Sequence, residues 1–462
     1  MIVSTRIDNA HISDYFARSF VADNALLFGE GVMLTHEDNE LLCRVGPGTP
    51  MGNLFRRYWI PALLSDEIPE PDSPPVRVKL LGEEMVAFRD TNGNVGLLDN
   101  NCPHRRASLF FGRNEECGLR CVYHGWKFDV NGDCVDMPSE PAESNFKEKV
   151  KITAYPTVER GGAVFAYMGP REKQPPFWNF EMFTLADNHI FAGRTRAYCN
   201  YMQAIEGNID SSHISYLHRN LADLKMTDFD DGTDVPGFPS AKMSTKIRGT
   251  SRTPSLELQE TPYGWRYAGI RITANGHQHL RITTNVFPIF NMVSRLPDQD
   301  IGFSLFVPLD DENHWRWNFS GKLDRPYTTE ERETRTSQRG ELDENGKPLR
   351  GPWNDYLLDR EAQRTVSYSG VTGVQAQDMA VQDSMGIIAD RTEEHLGTTD
   401  QAVIHNRKVL LKAARDLMEG IDPPMPDPSI VVKVRSHEEI IPGDADWRLY
   451  GAYAGEDAGI KV

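Results

Sequence analysis

The stretch CPHRRASLFFGRNEECGLRCVYHGW, residues 102–126, decides the reading of this chain. It holds two pairs, Cys102 with His104 and Cys121 with His124, each offering one thiolate and one imidazole within a few residues. A [2Fe–2S] centre of the Rieske type takes two Cys on one iron and two His on the other. Two short loops that each deliver one ligand of each kind meet that need. Zinc also takes Cys and His, but its fingers pair like with like, Cys-x2-Cys before His-x3-His. Here the types are mixed inside each pair, and only Pro103 parts the first two. Four unrelated core residues are the remaining alternative. Gly125 follows the second pair and permits the tight backbone approach of a loop wrapped on a cluster.

A second constellation lies in EGNIDSSHISYLH, residues 206–218. His213 and His218 are separated by four residues, and Asp210 stands three before His213. Non-haem Fe(II) oxygenases use two His and one carboxylate on one face of the metal and keep the other positions open. On an ideal helix five residues advance about 500°, which leaves the two His roughly 140° apart and unable to share a metal. The spacing therefore predicts that the helix breaks or widens between Ser212 and His218, near Ile214–Ser215, where a π-type turn narrows the gap. Asp210 and His213, at i and i+3, are neighbours on one face. The Asp210 carboxylate can thus support an iron-binding His from behind.

At these residues the chain resembles the Rieske non-haem iron oxygenases, and most closely their phthalate-dioxygenase-like oxygenase (alpha) subunits. The likeness starts near MLTHEDNELLCRVGPGTPMGNLFRRYW, from Met33, and runs nearly to the C-terminus. It implies a [2Fe–2S] Rieske cluster on Cys102, His104, Cys121 and His124, one mononuclear Fe(II) per subunit, and O2 as co-substrate. The segment VQAQDMAVQDSMG resembles the family's D-x4-[ED] pattern, whose first acid binds iron. That acid is Asp378; Asp383 stands where the family more often has Glu, and either acid, or neither, could be the third ligand. The resemblance also implies a role for Asp210. The matching Asp bridges an iron His to the second Rieske His of a neighbouring subunit, so the path would run His124, Asp210, His213 across an interface. A head-to-tail ring, a homotrimer or stacked trimers, is the implied assembly.

Length and composition agree with this. A chain of 462 residues predicts two or more domains, and 39% apolar residues are ample for buried cores. A net charge of −17 argues against nucleic acid and anionic membrane as partners. Cys43, Cys117, Cys134 and Cys199 show no disulfide-like spacing, as suits free thiols in a reducing cytoplasm. No apolar run is long enough to span a bilayer, and the N-terminus carries Arg6, Asp8, His11 and Asp14 where a signal peptide is apolar. A cytoplasmic protein is expected.

The expected fold class is α+β. Residues 1–32 read as an extension, and 33–59 as a segment packed on the catalytic body. Residues 60–170 read as an all-β Rieske domain, with hairpin signals at Gly82 and at two Asn-Gly pairs. Residues 171–462 read as the catalytic mononuclear iron domain. Within it, 200–219 and 376–420 look helical, 228–242 looks like loop, and 242–322 alternates as a long antiparallel sheet. In the family this is a START-like helix-grip fold. Residues 324–350 read as a charged surface segment, and the final GEDAGIKV as a fraying tail.

No G-x-G-x-x-G signature follows a strand, so electrons from NAD(P)H should arrive through a separate reductase, by analogy of flavin and plant-type ferredoxin kind. The substrate implied is an aromatic acid, because phthalate-like relatives hold carboxylates with Arg forks. Candidates are Arg252, Arg266, Arg271 and Arg281, with Ser255 near the place of one family arginine. The leading reading is a terminal oxygenase that hydroxylates an aromatic acid ring. Oxidative O-demethylation of a methoxy-aromatic acid, a Rieske electron carrier and a START-like binding module are the alternatives. A carrier would have an extra Cys in each cluster loop and no use for a second iron site. His277, His279, Glu206, Gln203 and Asn208 read as pocket or structural polar residues, and the Asp390–His395 cluster as structural.

Overall fold

The computed structural model describes residues 34–221, 235–296, 298–337 and 348–451. These fall into two compact units. The smaller comprises Arg44–Phe177 with Val307–Asp311; the larger comprises the described residues up to Cys43, those of 178–306 and those from Glu312 on.

The smaller unit is built from hairpins. Strands β1 (Trp59–Leu64), β9 (Thr157–Arg160) and β10 (Ala163–Tyr167) form one sheet in the order β1-β10-β9. β2 (Val76–Leu80), β3 (Glu83–Arg89) and β4 (Val95–Asp99) form a second meander. β5 (Arg113–Glu115), β6 (Gly118–Arg120), β7 (Lys127–Phe128) and β8 (Cys134–Asp136) form a third. The expected turns are present. Leu81 and Gly82 are both left-handed (φ 49° and 79°) between β2 and β3, the twist a two-residue hairpin needs. The two Asn-Gly turns share one device: Asp90 accepts from the amides of Asn92 and Asn94, and Asp129 from those of Asn131 and Asp133.

The segment expected to pack as one piece on the catalytic body divides instead. Helix His36–Cys43 belongs to the larger unit, and helix Pro50–Phe55 to the smaller. Side-chain chemistry explains this. Met51, Leu54 and Phe55 are fully buried, and Arg56 at the helix end reaches Glu83 on β3 and the carbonyls of Val45 and Leu81.

The larger unit holds an antiparallel sheet of β11 (Ile190–Ala197), β12 (Ser255–Thr261), β13 (Gly264–Ile272), β14 (Gln278–Val286), β15 (Phe290–Met292), β16 (Ile301–Pro308), β17 (His314–Gly321) and β18 (His437–Ile441). Its order is β11-β17-β16-β15-β14-β13-β12, with β18 also on β14. The sheet starts later than the alternation suggested. Ala241–Thr250 is a helix, capped by Ser240 accepting from the Met243 amide, with Met243 and Ile247 buried one turn apart. Helix Thr329–Ser337 has no buried residue, as a charged surface segment should. Helices Val374–Ser384 and Gln401–Met418 fill most of the region expected to be helical. Residues 222–234 and the tail lie outside the described residues.

Period-two alternation sorts β13 into faces. Tyr267 donates to the carbonyl of Ile209, and Trp265 packs edge-on against His405 of helix Gln401–Met418. Trp265, Tyr267, Gly269 and Arg271 thus face helices Tyr201–Ile209 and Gln401–Met418, while Arg266 faces away. This is the sheet gripping helices that the resemblance implied.

Candidate functional site

In the smaller unit the two Cys-His loops are built alike. The Cys102 amide donates to the Ala107 carbonyl, and the Arg106 amide back to the Cys102 carbonyl. Cys121 and Trp126, then Gly125 and Cys121, repeat both bonds. Arg106 and Gly125 occupy the same left-handed position, with φ of 61° and 80°. At Gly125 a Cβ would also meet Pro138 Cγ at 2.7 Å, which is why the second loop has no side chain there.

Cys102 and Cys121 belong to the buried core with Phe88, Leu98, Leu119 and Phe128, whereas His104 and His124 are half-exposed with ring centroids 4.4 Å apart. A hydrogen bond from the Cys102 thiol holds Cys121 below an ordinary thiol despite its burial, and amides of Tyr123 and His124 add to this. His104 stacks on Trp126 at 4.4 Å and 9°, and its Nδ1 is buried without a partner. Two thiols facing each other, two imidazoles meeting at the rim and an orphaned ring nitrogen are a donor set that a [2Fe–2S] group fits.

In the larger unit the segment carrying His213 and His218 breaks earlier than the spacing suggests. Helix Tyr201–Ile209, capped by Asn200 through the Met202 amide, stops at Asp210, which is extended. A single 3-10 turn, His213–Ser215, follows in place of a π-type turn. Asp210 makes the break, since its carboxylate accepts from the amides of Ser212 and His213 and competes with the helical pattern. Both His then turn to one side. Their Nε2 atoms are 3.1 Å apart, and Asp378 Oδ1 lies 3.1 Å from His218 Nε2 and 3.8 Å from His213 Nε2. Cis ligands about 2.1 Å from a shared ion stand about 3 Å apart, so the trio matches one face of an octahedron. Among the described residues no other group of His, Cys, Asp and Glu comes together this way.

Partners behind these three side chains fix their states. His218 Nδ1 lies 2.7 Å from Gln377 Oε1, an acceptor, so the proton sits on Nδ1 and Nε2 presents a lone pair. Gln377 Nε2 in turn donates to the Val371 carbonyl at 2.8 Å. His213 Nδ1 stands 3.5 Å from Asp210 Oδ2, too loosely aligned for a hydrogen bond. Burial alone would raise the Asp378 carboxyl, but His218 and the Arg316 charge outweigh it and hold it down at about 2. Asp383, the other candidate acid, points elsewhere: it accepts from Tyr356 and is pushed up by burial.

The sheet face below the iron segment is polar. Asn208 bonds Asn291, which bonds Asn285; Ser304 bonds Asn318 on the same face. Arg271 is fully buried there, donates to the carbonyls of Ser211 and Ser251, and leaves Nη1 without a partner. Burial, then the charges of Arg281 and Arg248, push it down to about 9, so it stays charged at neutral pH. Arg281 shares this face and donates to Glu438, whose other oxygen meets the buried His279. Of the remaining candidates, Arg252 is exposed and Arg266 serves Gln259 and two backbone carbonyls on the opposite face. His277 sits in the turn before β14. Glu206 is locked between Arg391 and Arg407, and Gln203 binds the carbonyls of Gln382 and Gly386, so both anchor the iron helix. A separate cavity of about 470 Å³, walled by Phe180, Met292, Phe303 and Arg295, lies on the far face of the sheet and cannot be the reaction chamber. Gln377 and Arg316 carry no signal of their role in the sequence. Gln377 adjoins the predicted acid, but nothing local marks which neutral neighbour will face a His.

A Rieske [2Fe-2S] domain model matches residues 58–156, and a LigXa C-terminal domain like model matches residues 166–461. The phthalate 4,5-dioxygenase oxygenase subunit of Pseudomonas putida is 40% identical over 93% of this chain and 98% of that protein. The chain belongs to the Rieske non-haem iron oxygenases. The 3-chlorobenzoate-3,4-dioxygenase oxygenase subunit of Comamonas testosteroni is 36% identical over 90% of this chain and 97% of that protein. The 5,5'-dehydrodivanillate O-demethylase oxygenase subunit of Sphingobium sp. is 30% identical over 85% and 83%. Among solved structures, a carbazole-bound oxygenase and ferredoxin complex of carbazole 1,9a-dioxygenase gives a TM-score of 0.52 at 19% identity, covering 81% of this chain and 96% of that one. It shares the fold. This Rieske oxygenase is a terminal oxygenase component that uses a [2Fe–2S] cluster, a mononuclear iron and O2. The carrier and binding-module readings fall with that. Among the described residues no helix is long and apolar enough to cross a membrane, and no disulfide is present.

Proposed function

We propose that this oxygenase hydroxylates the ring of an aromatic carboxylic acid, with the carboxylate held by Arg271 and Arg281. The observation that carries this is the unpartnered Nη1 of Arg271, a fully buried cation directly beneath the iron segment. A buried donor without an acceptor is costly, and a substrate carboxylate supplies the acceptor and the missing negative charge. The names of the relatives, a phthalate and a chlorobenzoate dioxygenase, support the substrate class.

Cys102, Cys121, His104 and His124 would hold the cluster, and His213, His218 and Asp378 would hold the mononuclear iron. When bound, the cluster supplies electrons singly and the mononuclear iron activates O2 beside the substrate. The chain's own residues do the rest. Gln377 keeps His218 in the ligating tautomer. Arg271 and Arg281 set which ring position faces the metal. Asp210 relays between His213 and His124 of a neighbouring copy in a homotrimer. A quarter-exposed Asp210 side chain and an apolar rim of Tyr216, Val366, Tyr368, Val381 and Met385 nearby support that docking. Electrons come from a separate reductase with a ferredoxin-type carrier, as in the oxygenase and ferredoxin complex, within cytoplasmic aromatic-compound catabolism.

The test is a panel of aromatic acids, with O2 uptake measured using a surrogate reductase. A phenol or diol product supports the reading. Formaldehyde release instead would select O-demethylation, which the 30% identical demethylase subunit favours as the second reading. Loss of substrate affinity of about tenfold or more is expected for Arg271→Met or Arg281→Met; no acid stimulating O2 uptake, or both variants binding normally, refutes the proposal.

A further inference from the structure

Arg316 projects from β17 onto the face that carries Asn318, beside the iron segment. Its side chain is 12% exposed, and Asp378 is its sole carboxylate partner among the described residues: Nη1 lies 3.0 Å from Asp378 Oδ2. Its Nε is buried without a hydrogen-bond partner, and its Cζ stands 5.6 Å above the ring of Phe306. The two carboxylate oxygens of Asp378 therefore have different duties. Oδ1 faces the Nε2 atoms of His213 and His218, and Oδ2 is turned to the guanidinium. Turning Oδ2 toward the metal would break a charge-assisted bond in a buried setting and leave a second guanidinium nitrogen unpartnered.

We infer that Arg316 is a positioning residue that restricts Asp378 to one metal bond. The inference rests on the triad reading and deepens it. A chelating carboxylate would occupy an additional coordination position; a carboxylate held at its outer oxygen leaves that position for O2 or substrate. Arg316 acts through Asp378 and is not itself a metal-binding side chain. It differs from Gln377, which selects a tautomer.

The test reads the carboxylate directly. Protein with its cluster in place and Asp labelled with carbon-13 is titrated with Co(II), and the metal-induced infrared difference spectrum is recorded. A carboxylate bound through one oxygen shows widely separated antisymmetric and symmetric stretches, and a chelating one shows them close together. The wild-type protein is expected to give the wide pair, and Arg316→Lys, which keeps a charged donor, to retain it. In Arg316→Met the separation is expected to narrow about twofold, and Arg316→Leu, which also has no donor, serves the same purpose should Arg316→Met not fold. A narrow pair in the wild type, or a wide pair in Arg316→Met or Arg316→Leu, overturns the inference. His218→Ala checks the underlying triad separately: the Co(II)-induced bands should vanish, and their persistence would remove the triad and the inference together.

Discussion

Gln377 offers the sharpest test of how the iron site is held. It is 7% exposed, and its two polar atoms are both used: Oε1 accepts from His218 Nδ1 at 2.7 Å, and Nε2 donates to Val371 at 2.8 Å. Gln377→Leu keeps the volume and removes both. The imidazole N–H is then buried without an acceptor, at a cost of about 1–3 kcal/mol. The ring is also free to adopt the other tautomer, which puts a proton where a metal should be. Partners behind metal ligands are commonly worth about 10–100-fold in affinity, and at about 1.4 kcal/mol per tenfold the two estimates coincide. The dissociation constant for Fe(II), measured anaerobically by chelator competition with the cluster in place, should rise by about that factor. Gln377→Glu keeps an acceptor on Nδ1 and should bind as tightly as the wild type or more so. Wild-type affinity in Gln377→Leu would refute the argument, because the site would then hold its tautomer without help.

Other consequences are equally concrete. Glu206→Gln strands Arg391, which is fully buried, and should cost about 3–5 kcal/mol in chemical denaturation. Gly125→Ala places a methyl 2.7 Å from Pro138 Cγ at a left-handed φ, so acid-labile sulfide per chain should fall while the larger unit's Co(II) binding persists. His314 is buried and donates from Nδ1 to the Cys199 carbonyl, and burial pushes it down to about 4. Its folded value lies below the unfolded one near about 6.5, so the unfolded chain binds more protons between the two. Stability should therefore fall on acidification through that window, by about 3 kcal/mol at pH 4, and His314→Gln should flatten the slope; an unchanged slope would show that another group titrates.

The smaller unit was largely legible from its own residues because its information is local. A hairpin is written in Gly82 or an Asn-Gly pair, and a cluster loop in a Cys and a His a few positions apart. The similar hydrogen bonding of the two loops was not, since Arg106 takes the left-handed place that Gly125 takes openly. The iron segment was half legible. That a regular helix cannot bring His213 and His218 together follows from the residue count alone, but the place of the break depended on Asp210 capturing two amides. The helix Ala241–Thr250 is hidden in the sequence because its short apolar pattern also fits the alternation of a strand.

The amino-acid sequence by itself marked the candidates: Cys102, His104, Cys121 and His124 for a cluster, and His213 and His218 with an acid on a later helix for an iron, each recognisable by residue type and spacing. The tertiary structure alone decided which distant groups serve them. Gln377 reaches His218 from a helix, Arg316 reaches the outer oxygen of Asp378, and strand parity puts Arg271 rather than Arg266 beneath the segment that carries His213. Ligand identity is a property of neighbours along the chain. Ligand orientation belongs to contacts across it, made only when separate strands and helices pack.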